Sequence, residues 1–496
     1  MYGAFLGLLL SIGSPVAWAS PDQSDSKSSV SDVDPAEPLT LQEQMESVLE
    51  EPYMEGSEVS ALVWNLETRE DLWEHQADLA VNPASVQKVL TTLAVLEHLG
   101  PKTTLVTQVK HDGTISNGVL EGNLYLVGSG DPSMVIERLW KMATDVYATG
   151  VHRITGDLIV DASILGDGSP IPGWTGGTDT ERAPPYEAPV SGFPLNYNSV
   201  TVVVQPGAEV GAAGDVRINV PDTYFQFENT SVTGEPESKT ALEVRRKSSN
   251  TITVTGTIAS DAPGQYSYLS VDKPTPYVAH SFKALFESVG GTIEGEAKGG
   301  KTPSETERLL SQRSDPVGFQ LGRMNAYSNN QIAEQLLRLA AQKALKDGTA
   351  QGAIRLLKKT MQAHEISVDG AVLHNGSGLS RSGRLSARQV AGIYDALYHH
   401  PKWQWEGLSS LSIYGLPGGV QPRNKDAEYL GYVRLKPGTI QGVLTLSGVL
   451  FCEADDTALG FVLLSQNLKR AWPARDSWEG TMQAVWDQCP EEESAN

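Results

Sequence analysis

The segment from Asn82 to Gly100 carries a helical pattern of apolar residues. Its apolar positions recur three and four residues apart, as on one face of a helix, and they are Val86, Val89, Leu90, Leu93, Ala94 and Leu96. Asn82 is a favourable N-cap, and Pro83 suits the first helical position because no backbone donor is needed there. Gly100 and the proline after it are a typical stop signal. The pattern therefore predicts a helix whose first turn contains Ser85.

The rest of the chain divides into strand-like and helical regions. Strand-like runs, separated by Gly, Pro, Asn and Asp, dominate residues 103–300. Helical spacing returns over 328–345 and 386–400. Two strand-like runs, 432–441 and 458–466, and a last helical stretch close the chain. This order predicts an α+β domain that is interrupted by a long β-rich insertion.

The N-terminus has the pattern of an export signal. Residues 4–19 form an apolar run, too short to span a membrane as a stable helix, that ends in the A-x-A cleavage pattern Ala17-Trp18-Ala19. No Lys or Arg precedes this run, which departs from the usual signal. Residues 20–38 are rich in Ser, Asp and Pro, which favours a disordered linker. We therefore expect an exported protein, periplasmic or otherwise in the cell envelope, with no transmembrane segment after cleavage.

Charge, histidine and cysteine content narrow the functions to consider. The formal net charge of −22 disfavours binding to nucleic acid or to anionic membrane surfaces. The nine histidines show no H-E-x-x-H or Cys/His ligand spacing, which argues against a zinc hydrolase, and we expect neither metal nor cofactor. The two cysteines, Cys452 and Cys489, are compatible with a disulfide in an exported protein and equally with two free thiols.

Ser85 and Lys88 form an S-x-x-K pair in the first turn of the predicted helix. Unpaired backbone N–H groups create a positive potential there. Lys88 is the i+3 neighbour of Ser85, with Cβ atoms roughly 5–6 Å apart. It is therefore close enough to accept the serine proton if burial lowers its pKa. The alternative is a pair of solvated first-turn residues, because S-x-x-K also occurs by chance in chains of this length.

Two later stretches supply the partners that an S-x-x-K serine hydrolase needs. Such enzymes also use an S-x-N motif and a strand lysine followed by small residues. Ser328-Asn329-Asn330 begins the helix predicted over 328–345, and Lys436-Pro437-Gly438-Thr439 lies in the strand predicted over 432–441. Taken alone, Asn330 is equally a helix-start residue and Lys436 equally a solvated strand charge.

In this order, the motifs resemble those of the low-molecular-mass class C penicillin-binding proteins, the D-alanyl-D-alanine carboxypeptidase/endopeptidase family. The supporting stretches are LVGSGDPSM (126–134), ITGDLIVDASIL (154–165), IPGWT (171–175), SGFPLNYNSVTVVVQPG (191–207), MNAYSNNQIAEQLL (324–337), NGSGLSR (375–381) and GTIQGVLTLSGVL (438–450). Each is weak by itself, and together in this order they are specific. The long insertion between Ser85 and Ser328 distinguishes this family from single-domain β-lactamases.

The resemblance implies a fold and a division of the chain. It implies an α+β, serine β-lactamase-like penicillin-binding domain of the transpeptidase type, with a β-rich insertion made of two nested domains. The catalytic domain would span 39–106 and 303–496. The insertion domain would span 107–132 and 210–302, and the nested domain 133–209.

The resemblance also implies a nucleophile and its helpers. Ser85 would attack the carbonyl of the D-Ala-D-Ala bond in a peptidoglycan stem peptide and form an acyl-enzyme, and β-lactams would acylate it likewise. Lys88 would accept the serine proton. Ser328 would relay a proton to the leaving amine, while Asn330 would hold Lys88 and the substrate amide.

The strand motif would bind the substrate. Lys436 would add positive potential for the terminal carboxylate and polarise Ser328. Gly438 and Thr439 would contact the substrate, and the backbone N–H groups of Ser85 and Thr439 would form the oxyanion hole.

Two residues depart from the family pattern. Pro437 replaces the threonine of the K-T-G motif, which removes a hydroxyl that normally helps to bind the substrate carboxylate, and also removes a backbone donor. N–H groups alternate along a strand, so the sheet loses no hydrogen bond if Thr439 and Pro437 both face the cleft. Asn375 stands where an aspartate is common before Gly-Ser-Gly.

Three hypotheses about the function follow, and Pro437 motivates only the second. The first is an exported serine D-Ala-D-Ala carboxypeptidase or endopeptidase that acts on peptidoglycan. The second is a catalytically weakened pseudoenzyme that binds cell-wall peptides. The third is an S-x-x-K esterase or β-lactamase of relaxed specificity.

Overall fold

The computed structural model describes residues 39–174, 180–221, 223–416, 420–455, 457–470 and 473–490. The predicted signal peptide and linker therefore lie outside the described residues. No helix within those ranges is long and apolar enough to cross a membrane. The α-helices are α1 (Leu41–Glu50), α2 (Lys88–His98), α3 (Ile136–Ala148), α4 (Pro274–Ser288), α5 (Val317–Ala326), α6 (Asn330–Leu345), α7 (Ala350–Ala363), α8 (Ala387–Tyr398), α9 (Gln404–Ser409) and α10 (Asp476–Trp486).

Short 3₁₀ turns and many short strands complete the secondary structure. The 3₁₀ turns are Ala84–Gln87, Thr180–Arg182, Pro185–Glu187, Asn196–Asn198 and Pro473–Arg475. The strands are β1 (Glu58–Asn65), β2 (Asp71–His75), β3 (Val106–His111), β4 (Thr114–Ser116), β5 (Val119–Glu121), β6 (Leu124–Val127), β7 (Arg153–Ile154), β8 (Leu158–Asp161), β9 (Asp167–Ser169), β10 (Val190–Ser191), β11 (Ser199–Gln205), β12 (Asp215–Ile218), β13 (Gln226–Asn229), β14 (Val232–Gly234), β15 (Ala241–Arg246), β16 (Thr251–Ala259), β17 (Gln265–Ser270), β18 (Thr292–Ile293), β19 (Ala297–Gly299), β20 (Glu307–Arg313), β21 (Ser412–Ile413), β22 (Val433–Ile440), β23 (Val443–Phe451) and β24 (Ala458–Gln466).

One antiparallel sheet joins the first and last parts of the chain. In the described residues its strands follow the order β2-β1-β24-β23-β22-β21, and β1 pairs with β24 along its whole length. Leu62 and Trp64 of β1 belong to the apolar cluster around α2 and α8, whereas Ala61 and Val63 belong to the cluster around α1 and α10. Successive side chains of a strand point to opposite faces, so this near-continuous apolar run lies between two helical layers.

The middle of the chain forms smaller sheets. Strand β20 pairs antiparallel with β3, so the two ends of this region lie side by side. The sheet orders among the described residues are β19-β8-β6-β3-β20, β18-β7-β5-β4, β12-β11-β17 and β13-β16-β14, with β15 on β16 and β10 on β9. Helices α3 and α4, which the strand-like runs did not predict, pack on each other and share one apolar core with these strands.

The order of the strands does not test the predicted limits of the two insertion domains. Strands β6 and β8 are parallel neighbours, although the predicted limits assign them to the insertion domain and the nested domain. Strand β20, which pairs with β3, falls in the range predicted for the catalytic domain. The domain limits therefore stay a prediction.

Helix starts follow the capping residues in the sequence. The helix predicted over 328–345 begins at Asn330 after Asn329, whose side chain accepts a hydrogen bond from the backbone of Ile332. The helix predicted over 386–400 is α8, and Ser386 forms a capping box with Gln389. These two helices pack on α2 and fix its position against the central sheet.

Candidate active site

Ser85 lies in a tight turn that precedes α2. The sequence predicted an α-helix from the first turn onward, but residues 84–87 form a 3₁₀ turn and α2 begins at Lys88. Asn82 accepts a hydrogen bond from the backbone of Ala84 (2.9 Å) through its side chain. Ala84 has a φ of 43°, a conformation that residues other than glycine rarely adopt. Surrounding contacts hold this strained backbone, which is a common feature of functional sites.

Lys88 is fully buried and its amine has three partners. Its Nζ lies 3.0 Å from Ser85 Oγ, 2.8 Å from Asn330 Oδ1 and 2.7 Å from the carbonyl oxygen of Ser377. Burial holds the pKa of Lys88 well below its usual value, and the nearby Lys436 lowers it further, whereas Glu334 opposes the shift. A neutral amine at this position is able to accept the serine proton.

Asn330, the first residue of α6, contacts Lys88, and Ser328 lies two residues before it. Ser328 is in the left-handed region with a φ of 51°, directly before the cap of the helix. Asn330 accepts from Lys88 through one side of its amide and donates through the other to the carbonyl oxygen of Tyr186, at 3.0 Å. Because an amide is both acceptor and donor, Asn330 connects the lysine to a 3₁₀ turn of the insertion.

Lys436 completes the cluster from strand β22. It is fully buried, and its Nζ donates to Ser328 Oγ at 3.0 Å and to the carbonyl oxygen of Pro437 at 2.8 Å. Burial lowers the pKa of Lys436 from 10.5 to about 7. The structure therefore brings together two serine–lysine pairs from three separate parts of the chain.

Gly438 lets strand β22 approach the turn that carries Ser85. A Cβ atom at residue 438 would lie 2.4 Å from Thr445 Oγ1 and 2.7 Å from the backbone nitrogen of Ser85. Thr445 also donates to the carbonyl oxygen of Pro83 at 3.0 Å, which ties the turn to the sheet. Only glycine fits here, and the next residue, Thr439, is exposed at the rim.

Glu334 is a site residue that the sequence reasoning missed. It is buried on α6, one turn after Asn330, and its Oε1 accepts from the backbone N–H groups of Gly376 (2.9 Å) and Ser377 (2.8 Å). Ser377 in turn accepts from Lys88 through its carbonyl oxygen. The i+4 spacing from Asn330 is a signal that could have identified it. The 375–381 stretch, which had no assigned role, therefore positions the lysine.

Asn375 organises the same stretch with both sides of its amide. Its Oδ1 accepts from the backbone of Gly378 at 2.8 Å, and its Nδ2 donates to the carbonyl oxygens of Pro172 and Leu379, both at 2.8 Å. An ionised aspartate could not donate these two bonds. Gly378 has a φ of 77°, and a Cβ there would lie 1.8 Å from the carbonyl oxygen of Ala84. The stretch therefore supports the strained turn beside Ser85.

The described residues contain no group of three or more His, Cys, Asp or Glu side chains that could hold a metal ion. Away from the cluster, Cys452 and Cys489 are joined in a disulfide that links the end of β23 to the chain after α10, with Cα atoms 5.4 Å apart.

The sequence also matches a family model, which identifies the class of enzyme that has this site. Residues 41–483 match the model of the D-Ala-D-Ala carboxypeptidase 3 (S13) family. The chain belongs to this family. It is a serine-type D-Ala-D-Ala carboxypeptidase of the penicillin-binding class, as the sequence resemblance predicted.

Two relatives similar in sequence agree with the assignment of this chain to the S13 family. It is 29% identical to the D-alanyl-D-alanine carboxypeptidase of Actinomadura sp. (strain R39) over 82% of this chain and 78% of the relative. It is 24% identical to the D-alanyl-D-alanine carboxypeptidase DacB of Haemophilus influenzae over 80% of this chain and 83% of the relative.

The fold of the S13 peptidase is also that of a solved structure. The crystal structure of penicillin binding protein 4 (dacB) from Haemophilus influenzae is similar with a TM-score of 0.77 at 20% identity, covering 90% of this chain and 98% of that chain. The predicted α+β penicillin-binding fold with a large β-rich insertion is therefore confirmed. The individual roles of the site residues stay predictions.

Proposed function

We propose that the protein is an exported serine D-Ala-D-Ala carboxypeptidase and DD-endopeptidase that acts on peptidoglycan stem peptides through an acyl-enzyme. The observation that carries the proposal is the buried Lys88 amine, with its lowered pKa, 3.0 Å from Ser85 Oγ. Family membership supports the carboxypeptidase activity. The apolar run at 4–19 with its A-x-A end supports export.

Acylation begins with the proton of Ser85. Lys88 Nζ accepts it while Oγ attacks the carbonyl carbon of the penultimate D-alanine, giving a tetrahedral intermediate. The backbone N–H groups of Ser85 and Thr439 bind the developing oxyanion, and one such donor contributes roughly 2.7–4 kcal/mol in hydrolases. The tight approach at Gly438 brings these two backbone segments together.

Collapse of the intermediate requires a proton on the leaving amine. Ser328 donates its hydroxyl proton as the C–N bond breaks, and the ammonium of Lys436, 3.0 Å away, replaces it. The pKa of Lys436, about 7, suits this role because the group is near half-protonated at neutral pH. Water then attacks the acyl-enzyme carbonyl, and its proton passes through Ser328 to the neutral Lys436 amine. The protonated Lys88 returns its proton to Ser85 Oγ as the ester bond breaks, which releases the shortened peptide and restores both lysines.

The endopeptidase activity requires the same bond chemistry with a larger leaving group. In a cross-linked stem peptide the leaving amine belongs to a second stem, and Ser328 would protonate it in the same way. β-Lactams would acylate Ser85 because the four-membered amide takes the place of the peptide bond. A structure of the Haemophilus influenzae relative is in complex with a β-lactam, which supports this part of the proposal.

Pro437 is the observation that favours a pseudoenzyme as the second candidate. Its carbonyl oxygen accepts from Lys436, so the main chain of residue 437 faces the lysine and not strand β23. The missing N–H is therefore lost from the cleft and not from the sheet. This geometry favours weakened recognition of the carboxylate over loss of acylation. An esterase or β-lactamase of relaxed specificity, which would use the same S-x-x-K pair, is the third candidate.

Two measurements on the purified protein test the proposal. A fluorescent penicillin should label the wild-type protein, and mass spectrometry should show release of D-alanine from a D-Ala-D-Ala peptide and monomers from cross-linked muropeptides. Labelling without any peptide product would favour the esterase or β-lactamase. Neither labelling nor product would favour the pseudoenzyme and contradict the proposal.

A further inference from the structure

A cleft of about 540 Å³ opens directly beside the catalytic cluster. Tyr327, Ser328 and Asn330 line it on the side of the catalytic domain. The opposite wall comes from the insertion and includes Tyr197 and Tyr268. The cleft therefore continues the site from both Ser328 and Asn330 toward the β-rich part of the molecule.

The lining of this cleft combines exposed aromatic rings with neutral polar groups. Tyr327 is 72% exposed and Tyr268 is 58% exposed, although large aromatic side chains usually bury most of their surface. Hydroxyl and amide groups lie between them, on Ser199, Thr201 and Asn219. Among the described lining residues, the only charged side chain is Glu137.

The wall at Tyr197 is held in a strained conformation. Asn196, Tyr197 and Asn198 have φ values of 49°, 57° and 52°, three consecutive left-handed residues of which none is glycine. The side chain of Asn196 accepts from the backbone of Ile136 at 2.9 Å, and that of Asn198 donates to the carbonyl oxygen of Pro189 at 2.8 Å. Such strain persists only where neighbouring contacts hold it, and here those contacts fix the shape of the cleft.

We propose that this cleft binds an N-acetylated sugar of the peptidoglycan glycan strand. This inference rests on the proposed function, because the sugar belongs to the same substrate. A sugar ring offers an apolar face to a tyrosine ring, and its hydroxyl and acetamido groups match neutral hydroxyl and amide partners. A ligand with a net negative charge would instead require cationic partners, and Glu137 would repel it.

The dimensions of the substrate agree with a separate sugar site. Four stem residues precede the scissile bond, and an extended segment of that length reaches at most roughly 13–14 Å. A sugar attached to the far end of the stem is therefore within reach of a cleft that adjoins the catalytic cluster. Tyr268 and Tyr327 lie exposed in this cleft.

Strand β17 offers a matched pair of variants for the test. Tyr268 lines the cleft, whereas Tyr266, two residues earlier on the same face of the strand and 64% exposed, does not. Both substitutions remove one exposed ring from the same strand. Tyr268→Ala should therefore affect the sugar, and Tyr266→Ala should not.

The first measurement compares kcat/KM for a bare pentapeptide with that for the disaccharide-pentapeptide. Wild type and Tyr266→Ala should prefer the glycosylated substrate. Tyr268→Ala should reduce that preference by roughly tenfold, equivalent to about 1.4 kcal/mol. An equal loss for both substrates would assign the cleft to the peptide and overturn the proposal, as would an unchanged ratio.

The second measurement does not depend on turnover. Saturation-transfer NMR with the free N-acetylglucosaminyl-N-acetylmuramic disaccharide should show contact with wild type and Tyr266→Ala, and loss of contact in Tyr268→Ala. Absence of contact in all three would overturn the sugar site. If the wild type binds the disaccharide but hydrolyses neither peptide, the proposed function fails while the sugar site stands.

Discussion

Replacing Pro437 with threonine tests whether the missing hydroxyl of the K-T-G position controls carboxylate recognition. Pro437 shares one face of β22 with the exposed Thr439, because side chains two residues apart point the same way. Its carbonyl oxygen accepts from Lys436 at 2.8 Å, so its main chain faces the cleft. Threonine therefore adds a hydroxyl and an N–H at the rim without disturbing the pairing of β22 with β23.

The size of the effect follows from one hydrogen bond to a charged group. Such a bond contributes roughly 1.5–3 kcal/mol, which corresponds to an increase of roughly 10- to 150-fold in kcat/KM. The gain should apply to a D-Ala-D-Ala peptide with a free C-terminal carboxylate. The C-terminal carboxamide of the same peptide should gain much less, because the new hydroxyl would have no charged partner.

A valine variant separates the hydroxyl from the other changes. Pro437→Val has the shape of threonine without its hydroxyl, and both substitutions free a φ angle that proline fixes. The ratio of kcat/KM for the carboxylate peptide to kcat/KM for the carboxamide peptide should therefore increase in Pro437→Thr and not in Pro437→Val, relative to the wild type. Equal changes on both peptides, or equal gains in the two variants, would refute the reasoning and leave carboxylate recognition to Thr439.

Three further outcomes are expected. Ser85→Ala should abolish covalent labelling by a fluorescent penicillin with little change in Tm, and a fully labelled variant would refute the nucleophile. Burial lowers the pKa of Lys436 from 10.5 in the unfolded chain to about 7 in the folded protein, so between these values only the unfolded chain holds this proton. The wild type should therefore lose stability relative to Lys436→Met as pH falls through this range, and denaturant titrations that give a constant difference would contradict the shift. Peptide mapping without reduction should find Cys452 linked to Cys489, and two free thiols in the exported protein would exclude the bond. Replacing both cysteines with serine should lower the unfolding free energy by about 4 kcal/mol, because the bond closes a loop with a sequence separation of 37 residues.

Local sequence patterns are sufficient to predict many secondary-structure elements and the identity of the reactive groups. Helix α6 forms where Asn329 caps a long apolar period, and β24 forms where a continuous apolar run is long enough for a buried strand. Ser85, Lys88 and Lys436 stand in motifs whose residue types already suit acyl transfer. Local pattern is sufficient here because capping and periodicity depend only on neighbouring residues.

The insertion shows where local pattern was insufficient. Helices α3 and α4 lie within a region dominated by strand-like runs. Their apolar faces are buried in a core that they share with the surrounding sheets. The 3₁₀ turn at 84–87 replaced the predicted first helical turn, because contacts from β22 and from the 375–381 stretch hold Ala84 in a strained conformation. These contacts join residues far apart in the chain, so no local signal contains them.

The chemistry of the site depends on long-range packing, which no local pattern contains. A lysine has its ordinary pKa until packing removes it from water, and Lys88 and Lys436 are buried only because α2, α6 and β22 converge. Glu334 also belongs to the site through long-range packing, because its hydrogen-bond partners lie in a loop that contacts α6. The amino-acid sequence supplies a serine and two lysines, and burial lowers the pKa of both lysines, to about 7 for Lys436.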